Sequence, residues 1–135
     1  MTLPLEPRLK VGIQSIYRRT EPAINRWQPD SDEGNTLIRM VDGLGYDSIW
    51  VGDHLSFSIP ILDPLIQLTQ AISVSSRLIV GTGVYLLPLR HPGTVAKQIA
   101  TLDLLSRGRL IFGVGVGGEF ETDFIAAGVP RNERG

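Results

Sequence analysis

Four short apolar runs, regularly spaced along the chain, most constrain what this sequence can fold into. They are KVGIQ from Lys10, SIWVG from Ser48, LIVGTGVYLL from Leu78 and LIFGVGVG from Leu110, so that successive starts lie 30 to 38 residues apart. Each run is nearly continuous in apolar residues and glycine, which is typical of strands buried on both faces of a parallel sheet. The spacing accommodates one crossover helix between successive strands. The sequence therefore predicts alternating strands and helices, with four strands.

The segments between these runs have the apolar periodicity of helices. The first predicted helix places one apolar stripe on Leu37, Met40, Val41 and Leu44. Asn35 is its expected N-cap and Gly45 its stop, while the second helix is expected to begin at Asp63, with Pro64 at its first position. A third helix is expected from Pro92, and a shorter one follows the fourth strand. Both an open doubly wound sheet and the first half of a (β/α)₈ barrel have this order of elements.

Composition excludes several kinds of function. The formal net charge of −1 over 135 residues gives no broad field that would favour nucleic acid or an anionic membrane. The absence of cysteine excludes disulfides, thiolate metal sites and thiol nucleophiles. No apolar run approaches the roughly 20 residues of a membrane span. Because MTLPLEPRLK lacks the apolar core of a signal peptide, we expect a cytoplasmic protein.

The stretch GVGVGG matches the spacing of a dinucleotide-binding turn through Gly113, Gly115 and Gly118. That fingerprint also needs an acidic residue about 20 positions later, at the end of the next strand. Glu133 meets the count, but no β-rich run precedes it. The glycines are therefore better explained by close approach of a ligand or a neighbouring backbone to the end of the fourth strand.

Polar residues and glycines occur at the ends of three consecutive strands. For the second, third and fourth strands they are, in chain order, Asp53, His54, Gly81, Gly83, Arg90, His91 and Glu119. In parallel α/β architecture this edge holds ligands and catalytic groups. The long irregular segment at about residues 17–35 follows the first strand, and is either a functional loop or a plain surface loop.

The sequence resembles the luciferase-like monooxygenase superfamily, which includes FMN-dependent monooxygenases and deazaflavin (F420)-dependent oxidoreductases. The resemblance rests on LGYDSIWVGDH, on RLIVGTGVYLLPLRHPGTVAKQIATLDLLSRGRLIFGVGVGGEFE and on AAGVPRNERG, in order over most of residues 44–135. It implies a (β/α)₈ barrel with the cofactor ring over the carboxyl ends of the strands. Residues 1–135 would then be the N-terminal half of that barrel domain.

The resemblance also implies roles for individual residues. His54 matches a histidine beside the reactive face of the cofactor, where an imidazole can exchange a proton or hydrogen-bond an oxygenated group. Asp53 would approach the edge of the cofactor ring. The alternatives are a helix-capping or loop histidine and a loop carboxylate that caps the following turn.

Further residues of the resemblance concern the third and fourth strands. Gly83–Val84 matches a strand bulge whose non-prolyl cis peptide backs the isoalloxazine ring. Gly81, Gly115 and Gly117 would leave room beneath the ring, or would serve only close packing of the barrel. Arg90 and the adjacent His91 would face the cofactor tail or substrate mouth, or else begin the third helix as solvated polar groups.

Glu119 stands one residue late relative to a catalytic glutamate of some deazaflavin-dependent members, whose position is occupied by Gly118. A glutamate in the first turn of a helix is also favoured by the helix dipole alone.

FMN and F420 are not distinguished by these motifs, and no metal is expected. FMN would mean oxygen activation and insertion into a small organic substrate, whereas F420 would mean hydride transfer. Because four strands are half of the family's eight, three interpretations stand: part of a longer oxidoreductase, a homodimer forming a pseudo-barrel, or a non-catalytic flavin-binding or scaffold domain.

Overall fold

The computed structural model describes residues 8–14, 30–58 and 61–134, and within these ranges strands alternate with α-helices. The strands are β1 Gly12–Gln14, β2 Ser48–Val51, β3 Ile79–Leu86 and β4 Leu110–Gly115. The helices are α1 Ser31–Gly43, α2 Pro64–Val74, α3 Pro92–Ser106 and α4 Glu121–Ala127. The alternation predicted from the apolar runs is confirmed, with each strand inside its predicted run.

The four strands form one parallel sheet in the order β1-β2-β3-β4. A doubly wound sheet reverses its strand order at a switch point, and this sheet has no such reversal among the described residues. Each strand is instead added beside its predecessor, as in a (β/α)₈ barrel. Of the two architectures that the sequence left open, the structure therefore has that of a partial barrel.

The main core lies between the sheet and its helices. Ile49, Val51 and Val80 project from β2 and β3 into one buried cluster with residues of the three longer helices. The helical members of the cluster are Ile38, Val41, Leu65, Leu68, Ala71, Val95 and Leu102. With its helices on this face, the sheet presents its opposite face as the inner wall of the partial barrel.

Helix α1 differs in detail from its prediction. It begins at Ser31, after Asp30, whose side chain accepts the N–H of Asp32 at 2.8 Å, so that Asp30 and not Asn35 is the N-cap. Its buried residues are Gly34, Ile38 and Val41, whereas Met40 and Leu44 are exposed. The predicted stripe therefore only partly coincides with the buried face: Val41 is buried and Leu37 packs against the core, but Ile38, outside the stripe, is buried in place of Met40 and Leu44.

The second and third helices begin as predicted. Asp63 caps α2 by accepting the N–H groups of Leu65 and Ile66 at 2.9 and 3.2 Å, with Pro64 in the first turn. Helix α3 begins at Pro92. Most of the predicted loop at residues 17–35 lies outside the described residues, and its last part forms the start of α1.

Asp47, the residue before β2, fastens β1 to the sheet. Its N–H donates to the carbonyl of Val11 at 2.8 Å, and its carboxylate accepts the N–H of Val11 at 2.9 Å and two hydrogen bonds from Arg8. The Arg8 guanidinium, followed by the Val11 amide, holds the pKa of Asp47 below its ordinary value of 3.8. The ionised carboxylate is therefore the form that the fold stabilises.

This linkage predicts an acid-sensitive attachment of β1. A depressed folded-state pKa stabilises the fold above the unfolded-state value, and that contribution is lost as the pH falls through the folded-state value. We expect the urea midpoint of the chain to drop as the pH falls below about 4. In Asp47→Asn the midpoint should be lower at neutral pH and should vary less over that interval. Identical pH profiles for the two proteins would contradict the assignment.

Candidate active site at the carboxyl edge of the sheet

The inner face of the sheet is built around Trp50. Its indole N–H donates to Ser48 Oγ at 2.9 Å, and its ring lies across the neighbouring strands. A Cβ atom added at Gly81 would lie 2.5 Å from Trp50 Cζ3, and one added at Gly83 would lie 3.8 Å from Trp50 Cε3. Glycine at position 81 thus makes room for a protein side chain, and the tryptophan ring forms part of the inner wall.

Strand β3 contains a bulge at the predicted position. The register with β4 shifts between Thr82 and Tyr85, and the peptide bond between Gly83 and Val84 is cis. Val84 is 43% exposed although it lies within a strand of the sheet. The bulge therefore presents an apolar side chain and a stretch of backbone to the open side of the sheet.

The glycines of β4 and the following turn contact protein atoms. A Cβ at Gly113 would clash with the Thr82 carbonyl oxygen, and one at Gly115 would lie 2.6 Å from Val84 Cγ2. Gly117 has a φ of +67°, and its Cβ would lie 3.3 Å from the ring of Phe124. The close approach predicted for GVGVGG is therefore made, among the described residues, by the bulge of β3 and by α4.

Gly113→Ala tests this packing. The added methyl group meets a backbone oxygen that cannot rotate away, and we expect a loss of about 1–3 kcal/mol in the free energy of unfolding. Gly43→Ala is the matched control, because a Cβ at Gly43 meets nothing within 4 Å. Its expected effect is neutral or slightly stabilising, since alanine is the better helix former. Equal effects in urea unfolding would contradict the assignment.

Asp53 forms a buried ion pair with Arg90. Its side chain is fully buried, and its two oxygens accept from the Arg90 guanidinium at 2.5 and 2.8 Å. The backbone N–H of Leu86 donates to the same carboxylate at 2.8 Å. The pair thus joins the end of β2 to the end of β3 and to the segment that follows it.

Arg90 is held by the Asp53 carboxylate and by the ring of Tyr85. Its guanidinium carbon lies 4.4 Å from the centre of the Tyr85 ring, and its side chain is 16% exposed. Burial acts to lower the pKa of Arg90, but the hydrogen bonds and charge of Asp53 outweigh burial and raise it. Burial also raises the pKa of Tyr85, which favours its neutral phenol. Arg90 is therefore a fixed cation whose charge is largely matched within the protein.

His54 lies beside this pair, at the end of β2, in an aromatic setting. Its ring stacks on Phe57 with the ring centres 4.4 Å apart and meets the edge of Phe120 at 5.1 Å. Its Nδ1 lies 2.8 Å from Oδ2 of Asp123, whose side chain is only 2% exposed. The imidazole is 24% exposed, so one side of the ring is anchored and part of it reaches solvent.

The remaining predicted site residues are exposed. Glu119 precedes α4 and is exposed. The adjacent Gly118 accepts a hydrogen bond from Arg131 through its carbonyl oxygen. His91 is the N-cap residue of α3 and makes no side-chain capping bond. Among the described residues, neither Glu119 nor His91 has buried partners like those that fix His54, Asp53 and Arg90.

Sequence reasoning missed Asp123 and Trp50. Asp123 lies 69 residues from His54, and no local pattern distinguishes it from the neighbouring Glu121. In the sequence, nothing distinguishes Trp50 from the other apolar residues of a buried strand. Two glycines in GTG on the adjacent run were the available signal that a large side chain needed room there.

Within residues 8–14, 30–58 and 61–134, no group of three side chains is arranged to hold a metal ion. No helix in those ranges is long and apolar enough to cross a membrane.

Comparison of the chain with known families and proteins gives one consistent result. The family model for luciferase-like monooxygenases matches residues 14–135. Limonene 1,2-monooxygenase of Rhodococcus erythropolis is 40% identical to the chain over 82 residues, which are 60% of this chain and 21% of that enzyme. The chain therefore spans about a fifth of the length of this relative.

Solved structures give the same fold. The F420-dependent tetrahydromethanopterin reductase of Methanopyrus kandleri superposes with a TM-score of 0.67 at 27% identity, over 90% of this chain and 30% of that one. The oxygenating constituent of 3,6-diketocamphane monooxygenase from Pseudomonas putida, solved with FMN, gives a TM-score of 0.73 at 23% identity. That match covers 94% of this chain and 36% of the other.

Proposed function

The chain belongs to the luciferase-like monooxygenase family, and on this premise we propose that it binds FMN or coenzyme F420 at the carboxyl edge of its sheet. The bound cofactor would serve oxidation or reduction of a small organic substrate. The observation that carries the proposal is the bulge at Gly83–Val84, which turns an apolar wall toward the same edge at which His54 is anchored.

The described residues fit a flat cofactor ring. Val84 and the adjoining backbone offer an apolar surface, and the Trp50 ring lies on the inner face beside Gly83. Planar rings bind where apolar surface and a few placed polar groups meet. A phosphate-bearing tail would need additional donors, because the guanidinium of Arg90 is already paired with Asp53.

Several of the predicted site residues would act indirectly in this proposal. Asp53 and Arg90 would act on the cofactor indirectly, by holding the end of β3 through the Leu86 amide. Gly115 and Gly117 would act by letting β4 and the following turn approach the bulge and α4. Glu119 stays a prediction as a catalytic group.

His54 would serve the reaction itself. An imidazole with one nitrogen anchored can use the other to accept or return a proton, or to hydrogen-bond a polar group of the cofactor or substrate. Its aromatic neighbours would exclude water from one side of the ring. When bound, FMN would supply oxygen activation and F420 would supply hydride transfer.

A titration with each cofactor tests the proposal. In Trp27→Phe, Trp50 is the remaining tryptophan of the chain and lies in the proposed wall. We expect FMN or F420, in the oxidised or reduced form, to quench the fluorescence of Trp50 saturably. The cofactor that binds more tightly identifies the chain as part of an FMN-dependent or an F420-dependent protein. Absence of saturable quenching by both would overturn the proposal.

A matched pair of variants localises the binding. Val84→Asp places a charge on the proposed wall and should weaken binding at least tenfold, a cost of about 1.4 kcal/mol. Leu104→Asp makes the same kind of change on an exposed residue near the end of α3, toward the amino edge of the sheet, and should leave binding unchanged. Equal effects of the two variants would show that the cofactor does not bind against Val84. The predicted homodimer and cytoplasmic location stay predictions.

A further inference from the structure

Both carboxylate oxygens of Asp123 bind one short segment after β2. Oδ2 faces Nδ1 of His54 at 2.8 Å, and Oδ1 accepts the backbone N–H groups of Leu55 and Ser56 at 2.7 Å each. The side chain belongs to α4 and is 2% exposed. One buried group thus fixes both the backbone beside the histidine and the histidine ring.

The hydrogen-bond pattern specifies which ring nitrogen carries the proton. A carboxylate can only accept hydrogen bonds, so the nitrogen that faces it must be a donor. In the neutral imidazole, Nδ1 then holds the proton and Nε2 keeps a lone pair. Two backbone donors on Oδ1 stabilise the same ionised carboxylate.

Aromatic contacts fix the ring plane as well. Phe57 stacks on the imidazole at an interplanar angle of 19°, and Phe120 meets it nearly perpendicularly at 82°. Rotation of the ring about its Cβ–Cγ bond would break both contacts together with the bond to Asp123. The orientation is therefore set by groups on three segments of the chain, the loop after β2, the turn before α4 and α4 itself.

We propose that Asp123 is the positioning residue that fixes His54 as its Nδ1–H tautomer and leaves Nε2 as the hydrogen-bond acceptor of the site. The catalytic consequence of this arrangement rests on the proposed function. It would direct the reactive nitrogen away from the buried carboxylate and toward the partly open side of the ring.

Asp123→Asn tests the tautomer without needing a cofactor. The amide oxygen of asparagine can keep the bonds from Leu55 and Ser56, so its NH₂ group faces His54 and donates to Nδ1. The proton of the neutral ring must then move to Nε2. In ¹⁵N spectra at about pH 9, where an ordinary imidazole is neutral, we expect the protonated-type resonance to belong to Nδ1 in the parent chain and to Nε2 in the variant.

The chain provides its own control, because it has two histidines and His91 is exposed. The His91 resonances should not change, and Asp103→Asn on exposed α3 should leave both histidines as in the parent chain. If Asp123→Asn unfolds the chain, the parent spectrum alone decides: an Nε2–H tautomer of His54 overturns the inference and an Nδ1–H tautomer supports it. An unchanged tautomer in a folded Asp123→Asn variant also overturns it.

This result is independent of cofactor binding. Fluorescence quenching without a tautomer change would retain the proposed function and refute the role of Asp123. The expected tautomer change without quenching would retain the positioning geometry and refute the proposed function.

Discussion

Arg90→Met is expected to lower the free energy of unfolding by about 3–5 kcal/mol, because it leaves the carboxylate of Asp53 buried without its cation. The side chain of Asp53 is fully buried, and its remaining described partner would be the N–H of Leu86 at 2.8 Å. Methionine keeps much of the aliphatic length of arginine, so the loss reports on charge and hydrogen bonding more than on volume. Urea unfolding monitored by circular dichroism measures it.

A second variant separates the buried charge from lost packing. In Asp53→Asn/Arg90→Met the carboxylate is gone, but the amide oxygen can still accept the N–H of Leu86. We expect the double variant to be more stable than Arg90→Met, since the unpaired charge dominates the cost of the single change. A double variant that is as unstable as the single one would show that packing of the arginine stem on Tyr85 matters more.

His54→Ala is expected to slow oxidation of the bound reduced cofactor by about 10²- to 10⁴-fold, which is the usual contribution of a positioned acid–base group. The expectation rests on the proposed function. It follows from a partly exposed imidazole whose Nδ1 is held by Asp123 and whose ring is fixed by Phe57. Stopped-flow absorbance of the reduced cofactor after mixing with an electron acceptor measures this rate, and it requires no organic substrate.

His54→Gln divides this effect into two parts. Glutamine can hydrogen-bond but cannot exchange a proton at neutral pH. A rate near that of the parent chain in His54→Gln would show that hydrogen bonding suffices, whereas a rate near that of His54→Ala would assign proton transfer to the imidazole. If His54→Ala itself oxidises the cofactor at the parent rate, the histidine has no catalytic role. Binding of the cofactor by both variants, seen through Trp50, is the required control.

Local sequence patterns correctly predicted the order of strands and helices. The apolar runs at Ser48 and Leu110 contain β2 and β4, and Asp63 caps α2 as its position before a proline predicted. The resemblance to a known family correctly indicated the bulge at Gly83–Val84. The strands and the cap depend on residues within one turn or one strand of each other, so the sequence displays them directly.

The buried face of α1 could not be predicted from local sequence. Periodicity placed Leu37, Met40 and Val41 on one stripe. Packing against α2 and the sheet buries Ile38 with Val41, half-buries Leu37 and leaves Met40 exposed. The reasons for the glycines were likewise non-local. Gly81 makes room for Trp50 of the neighbouring strand, and Gly113 makes room for the Thr82 carbonyl.

What the sequence by itself determined, then, is a chain of strands and helices whose polar residues gather at the carboxyl edge of one parallel sheet. Only the tertiary structure decided how those residues are paired: Asp53 with Arg90, 37 positions apart, and His54 with Asp123, 69 positions apart. The physical reason is that periodicity and capping arise from neighbours along the chain. A buried carboxylate instead finds its partner through the approach of separate strands and helices, which no local pattern records.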